Sequence, residues 1–212
     1  MTNVKTSRRY DSAGRQRQAL RTRAAVLDVA QRRFIEDGYA ASTVAAVAGD
    51  AGVSVETVYK TFGGKPGLVR AIHERGLAGS GPVPAPHRSD AMQDRERNPR
   101  AIIRNWGRLT TEVAPRVAPI LLLIRSAAAT DPEMAELLTE SDAQRLRRMR
   151  HNARSLADRG HLRPGVTLGA ATDVLWTYSS PDLYDLLVVR RHWSVQRYGR
   201  FVADAMIAAL LP

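Results

Sequence analysis

The sequence predicts an all-α protein, and three observations carry that prediction. Ala and Leu recur throughout while aromatic residues make up only 6% of the chain, a composition that leans towards helix. Apolar residues return at three- and four-residue intervals along most of the 212 positions, the period of a helix face. No stretch alternates as a strand does. A hydrophobic content of 44% supplies a core, and the length suits one full domain with a small second one.

Residues 1–16 show no hydrophobic period and read as a flexible basic arm. The first 23 positions carry Lys5, Arg8, Arg9, Arg15, Arg17, Arg21 and Arg23 against Asp11 alone. A helix follows with Leu20, Val26, Leu27, Ala30, Phe34 and Ile35 on one face, stopped at Gly38. Ser42 or Thr43 caps a short second helix carrying Val44, Val47 and Ala48, which Gly52 breaks. Ser54 caps a third, with Val58 and Phe62 inward, ended by Gly63-Gly64. A fourth starts at Lys65 or Pro66 and runs to Gly76, with Pro66 tolerated in its first turn. Residues 17–77 thus form one helical domain.

Residues 78–98, rich in Pro and Gly and then in charge, read as a linker. Residues 99–212 are helical again. Ile102, Trp106, Leu109, Val113, Val117, Ile120 and Ile124 make one stripe, with Pro115 and Pro119 inside it demanding a kink or a split. Asp131-Pro132 opens a helix towards Leu138, and Asp142 to Arg159 forms another. Two long helices, Leu168 to Tyr178 and Ser194 to Leu211, close the chain, joined by Pro181 to Arg191.

Charge and residue usage narrow the function. Lys plus Arg number 32 against 21 Asp plus Glu, a formal net charge of +11. Phosphate binding accounts for such an excess, because released counterions favour each basic contact; the arginine bias of a GC-rich genome accounts for the total equally well. There is no cysteine, so disulfides and thiolate metal sites are excluded. No apolar run approaches a membrane span, and the N-terminus lacks the apolar stretch of a signal peptide, so a cytoplasmic protein is expected. The five histidines, His73, His87, His151, His161 and His192, show no metal-ligand spacing, which argues against a metal site. No phosphate-binding glycine loop or nucleophile elbow is present, and no cofactor is expected.

The segment Thr43–Phe62 carries the chemistry. Two short helices cross tightly only where the contact residues are small, which Ala48 and Ala51 supply. The turn between them needs a positive φ, which Gly52 adopts without steric cost. Val53 plugs the core beneath the turn. The second helix then presents Val55, Glu56, Thr57, Tyr59, Lys60 and Thr61 outward. A helix exposed in this way enters the DNA major groove and reads base edges from its N-terminal end.

At these residues the chain resembles the TetR family of bacterial regulators. Ala51-Gly52-Val53-Ser54, then Tyr59, Phe62 and Lys65, follow that family's pattern, over about residues 20–76. The resemblance implies a DNA-binding set of Thr43, Ser54, Val55, Glu56, Thr57, Tyr59, Lys60, Thr61 and Lys65. Thr43, Tyr59 and Lys65 would meet phosphates, and Val55, Glu56, Thr57, Lys60 and Thr61 would face bases. Glu56 departs from a simple DNA-facing pattern: it accepts from cytosine, or it only complements the helix dipole. The basic arm either contacts DNA or has no specific role.

The resemblance further implies a homodimeric regulator, commonly a repressor, that binds a palindromic operator in double-stranded DNA and is released by a small-molecule effector. The effector pocket is expected from Arg104, Trp106, Val113, Val117, Ile120, Ile124, Arg125, Trp176 and Tyr178, residue types that more often serve as simple core. The dimer interface is expected from Ala171, Leu175, Tyr198, Val202, Ala205 and Ala209, on the two C-terminal helices. Arg145, Arg147, Arg148, Arg150 and Arg154 read as a solvated face paired with Glu136 and Glu140, with an anionic-ligand site as the alternative. An architectural DNA binder without effector is the rival class, an enzyme the remoter one; operator preference and turnover separate them.

Overall fold

Side chains placed just ahead of the helices do much to set where those helices start. Thr43, Ser54, Thr167 and Ser194 each accept a hydrogen bond from the backbone N–H three residues on, at 3.1–3.2 Å. Asn98 and Asp131 each accept two. Each such cap is worth about 1 kcal/mol. The computed structural model describes residues 12–212, with the side chains of residues 12 and 13 left aside. Its helices are α1 Ser12–Glu36, α2 Val44–Asp50, α3 Val55–Phe62, α4 Lys65–Ala78, α5 Ala85–Arg95, α6 Pro99–Ala127, α7 Pro132–Asp158, α8 Leu168–Tyr178, α9 Pro181–Tyr184 and α10 Val195–Leu210. A π-helical segment, Asp185–Arg190, follows α9 directly. The described residues contain no strand.

Two apolar clusters organise the chain. The first joins Val26, Ala30 and Phe34 of α1 to Val47, Val58, Leu68 and Ile72, and continues into Ile120 and Ile124 of α6 and Met134 of α7. The second joins Ile102, Ile103 and Trp106 of α6 to Leu156, Leu175, Tyr198, Val202 and Leu210. Helix α6 therefore contributes to both. Where α6 crosses α10 the backbones nearly touch: a Cβ on Gly107 would lie 2.6 Å from the Gly199 carbonyl oxygen, and one on Gly199 would lie 2.6 Å from that of Gly107. Only glycine at both positions permits that approach.

Four readings of the sequence change. The arm expected over residues 1–16 is already helical from Ser12, and residues 1–11 lie outside the described residues. The linker expected over 78–98 holds helix α5, whose inward stripe is Ala85, Ser89 and Gln93. Two of those three are polar, so hydrophobic periodicity does not reveal it. Of the kink or split expected at Pro115 and Pro119, the split does not occur: α6 is one helix through both. Each proline removes one helical hydrogen bond, and burial of Val117, Ala118, Ile120 and Leu121 holds the helix together. Helix α7 is likewise continuous, because its inward face, with Met134, Leu137 and Ser141 buried, runs straight across the expected break.

Candidate functional site

The α2–α3 pair has the expected geometry. Gly52 takes φ +64°, and the Val53 N–H donates to the Ala48 carbonyl at 3.0 Å to close the turn. Val58 is fully buried beneath α3. Glu56, Thr57, Lys60 and Thr61 are exposed, and Val55 and Tyr59 are 41% and 54% exposed. So large an exposure of an apolar and an aromatic side chain on one short helix marks a surface that does not serve the chain's own core. Ser54 Oγ is committed to the Thr57 N–H and lies 2.8 Å from Thr57 Oγ1. Arg33 reaches from α1 to Asp50 at the end of α2 (2.8 Å), and Arg75 ties α4 to Asp28 of α1 (2.7 Å). The reading helix thus stands on a braced three-helix base.

Lys65 has a second set of neighbours. Its ammonium sits 4.1 Å from the centre of the Tyr39 ring, and burial lowers its pKa against the raising influence of Asp131. The Tyr39 hydroxyl donates to Asp131 Oδ2 at 2.8 Å. Burial, chiefly, and the bond to Asp131 push the Tyr39 pKa up, so the phenol stays a donor. Asp131 in turn caps α7. The start of α4 is therefore linked to the corner between α6 and α7.

Beyond that corner, α4 to α10 enclose a cavity of about 360 Å³, within the range that holds a small molecule. Its wall is largely apolar, with Leu77, Val113, Val117, Leu121, Met149, Leu175 and Met206. Polar groups come from His73, Ser141, Arg145, Arg148, Asn152, Tyr184 and Tyr198. Arg145 is held by the Trp176 carbonyl (2.6 Å) and Ser179 Oγ (3.1 Å), and stacks 4.4 Å over the Trp176 ring. Arg148 forks onto both oxygens of Asp90, at 2.7 and 3.0 Å. Burial, with Arg70 nearby, pulls His73 down to about 4, so it is neutral at neutral pH.

Residues 26–72 match the family model for bacterial regulatory proteins of the tetR family. Those residues are the helix-turn-helix and the helices that brace it, so the likeness to the tetR family lies in the DNA-binding region. The chain's fold is shared along nearly its whole length with solved structures. The SmeT–triclosan complex is 24% identical, covering 90% of this chain and 92% of that one, with a TM-score of 0.70; SmeT is the repressor of a Stenotrophomonas maltophilia multidrug efflux pump. NalD, the secondary repressor of the MexAB-OprM efflux pump in Pseudomonas aeruginosa, is 18% identical with 92% and 98% coverage and a TM-score of 0.70. A regulator from Saccharomonospora viridis in complex with choline is 16% identical, with 91% and 98% coverage and a TM-score of 0.65. No curated protein matches the sequence. Among the described residues no helix is long and apolar enough to cross a membrane.

The structure redistributes the expected pocket residues. Trp106, Val113, Val117 and Tyr178 line the cavity. Ile120 and Ile124 instead point into the first apolar cluster, fully buried. Arg104 faces a separate groove between α6 and α10. Arg125 is paired with Asp182 at the surface, and Trp176 serves as the platform under Arg145. His73, Ser141, Asn152, Tyr184 and Tyr198 were missed. Each is a lone polar residue in an apolar or mixed stripe, and they come from four helices, so no local spacing announces them. Of the five arginines on α7, Arg147, Arg150 and Arg154 are exposed, while Arg145 and Arg148 belong to the cavity wall. Their partners are Asp142 and Asp90, and Glu140 pairs with Arg70.

The expected interface residues also divide. Ala171, Leu175, Tyr198 and Val202 are buried within this single chain and so cannot meet a partner. Ala205 and Ala209 are partly exposed. The outward faces of α8 and α10 carry Ala170, Asp173, Thr177, Arg197, Phe201 and Ala208. Phe201 is 38% exposed and packs edge-on against Trp193 at 5.5 Å. On the neighbouring π-helical segment Leu186 and Val189 are about half exposed.

Proposed function

We propose that the chain is a one-component transcriptional repressor, acting in the cytoplasm, which binds a palindromic operator as a homodimer and releases it when a small molecule fills the cavity. The observation that carries this reading is the double duty of α6. Residues Trp106 to Leu121 wall the cavity, while Val117, Ile120 and Ile124 of the same helix are core to the helix-turn-helix unit. A ligand that shifts α6 must therefore move the base on which α3 stands. A coupling of this kind is reciprocal and typically worth about 1–3 kcal/mol.

In this reading residues 17–77 are the DNA-binding unit. Val55, Glu56, Thr57, Lys60 and Thr61 meet bases; Thr43, Tyr59 and Lys65 meet phosphate; and Ser54 stabilises the start of the reading helix. The partner subunit docks on the outward face of α8 and α10 around Phe201, Ala205 and Ala209, extended by Leu186 and Val189. Exposed apolar side chains gathered on one face support that choice. A two-fold axis there sets two reading helices about 34–36 Å apart or a multiple of it, so the operator is an inverted repeat.

The test is selection of bound duplexes from a random DNA pool by the purified protein. An enriched inverted repeat supports the repressor reading. Enrichment of no sequence, with binding to any duplex, assigns the chain to architectural DNA binding instead.

A further inference from the structure

Five polar side chains in the cavity wall have no hydrogen-bond partner for a key atom among the described residues. They are the His73 imidazole, the Ser141 hydroxyl, the Asn152 amide nitrogen, and the Tyr184 and Tyr198 hydroxyls. Asn152 accepts from Gln93 through its oxygen alone, at 3.4 Å. These residues are 5%, 5%, 6%, 7% and 1% exposed. Their polar atoms open onto the cavity rather than being sealed in the core, so a ligand there can exchange hydrogen bonds with them in place of water.

Their placement sets the shape of that occupant. Ser141 and Asn152 lie on α7, eleven residues apart, which is close to three full turns and brings them to the same face. At 1.5 Å per residue the two positions are about 16 Å apart along the helix. His73 joins the Ser141 end, since its imidazole feels both Arg70 and the adjacent Glu140. Between these ends the wall is apolar, with Val113, Met149 and Leu175.

Charge sets the rest. Two arginines and no carboxylate line the cavity, and His73 is held neutral. A cationic ligand finds no carboxylate in that wall and meets Arg145, whose one carboxylate contact among the described residues, to Asp142, is long at 3.4 Å. A neutral or weakly acidic hydroxyl meets donors and acceptors at both ends.

We infer that the effector is an elongated, non-basic, mainly apolar molecule carrying a hydrogen-bonding oxygen at each end, one served by His73 and Ser141 and the other by Asn152. The inference rests on the cavity being the effector site of the repressor reading, and it specifies the chemical class.

A matched series tests it: trans-stilbene, 4-hydroxystilbene and 4,4′-dihydroxystilbene, titrated calorimetrically into the full-length protein, with a protonated 4-aminomethyl-4′-hydroxystilbene as the cationic control. The dihydroxy compound is expected to bind about tenfold or more tighter than stilbene, from about one net hydrogen bond gained per end. The cationic control binds worse than 4-hydroxystilbene. Asn152→Leu at one end and the double variant His73→Phe/Ser141→Ala at the other each reduce dihydroxystilbene binding to about the monohydroxy level. 4-Hydroxystilbene loses little in either variant, because it turns its one hydroxyl to the end that remains. The inference is overturned if dihydroxystilbene fails to bind or binds no better than stilbene, if the cationic control binds equally well, or if neither variant changes the series. Operator affinity is measured in the same samples. Intact operator binding with a failed series leaves the repressor reading standing; a successful series without operator release sinks that reading and keeps the ligand class.

Discussion

The Tyr39 hydroxyl donates to Asp131 Oδ2 at 2.8 Å across 92 residues of sequence. It joins the loop after α1 to the residue that caps α7, and the same Tyr39 ring carries the ammonium of Lys65. Tyr39→Phe keeps the ring and loses the bond, so it should cost about 1 kcal/mol of stability. Asp131→Ala should cost about twice that, because the Glu133 and Met134 N–H groups lose their acceptor as well. Urea denaturation of both single variants and the double variant measures this. Strict additivity of the two losses would remove the bond from the account.

Lys65→Ala should weaken binding to every duplex alike and reduce the slope of log K against log salt by about one unit, the signature of one lost phosphate contact. Tyr59→Ala should also lower affinity on all sequences. Lys60→Ala should change base preference. A salt slope unaltered by Lys65→Ala takes that residue off the phosphate list.

Acid should destabilise the fold in two separate steps. His73 is held at about 4 by burial and Arg70, below its ordinary value of 6.5. Between those values the unfolded chain binds the proton and the folded chain does not, so stability falls as pH drops from about 6.5 towards 4. Glu112 is held at about 2 by the Arg88 guanidinium and the Ser80 N–H. Its contribution is complete above the ordinary carboxylate range and is lost as pH falls towards 2, on the order of 2 kcal/mol in all. Melting temperatures of wild type, His73→Phe and Glu112→Gln across pH 7 to pH 3 separate the steps, because each variant should flatten only its own window.

Phe201→Arg and Ala205→Arg should each split the dimer and abolish operator binding while leaving α1–α4 folded, since an unpaired charge buried in an interface costs several kcal/mol. Arg in place of buried Tyr198 or Val202 should unfold the chain instead. Sedimentation with circular dichroism distinguishes the two outcomes. A wild-type protein that sediments as a monomer at micromolar concentration sinks the dimer.

What the sequence determined by itself is local. Thr43 and Ser54 announce their helices because a cap acts within three residues, and Gly52 announces the turn because a positive φ belongs to one residue. The reading face of α3 was legible for the same reason: with Val58 inward, its other side chains have nowhere to go but out. Tertiary packing alone decided the cavity, since His73, Ser141, Asn152, Tyr184 and Tyr198 meet only when α4, α7, α9 and α10 close around α6. It also decided which side of α8 and α10 faces inward. Those helices are apolar around most of their circumference, so periodicity does not distinguish Val202, fully buried, from Phe201, 38% exposed. The near-contact of Gly107 and Gly199 does, because it draws one face of α10 against α6 and leaves the opposite face to solvent or to a partner.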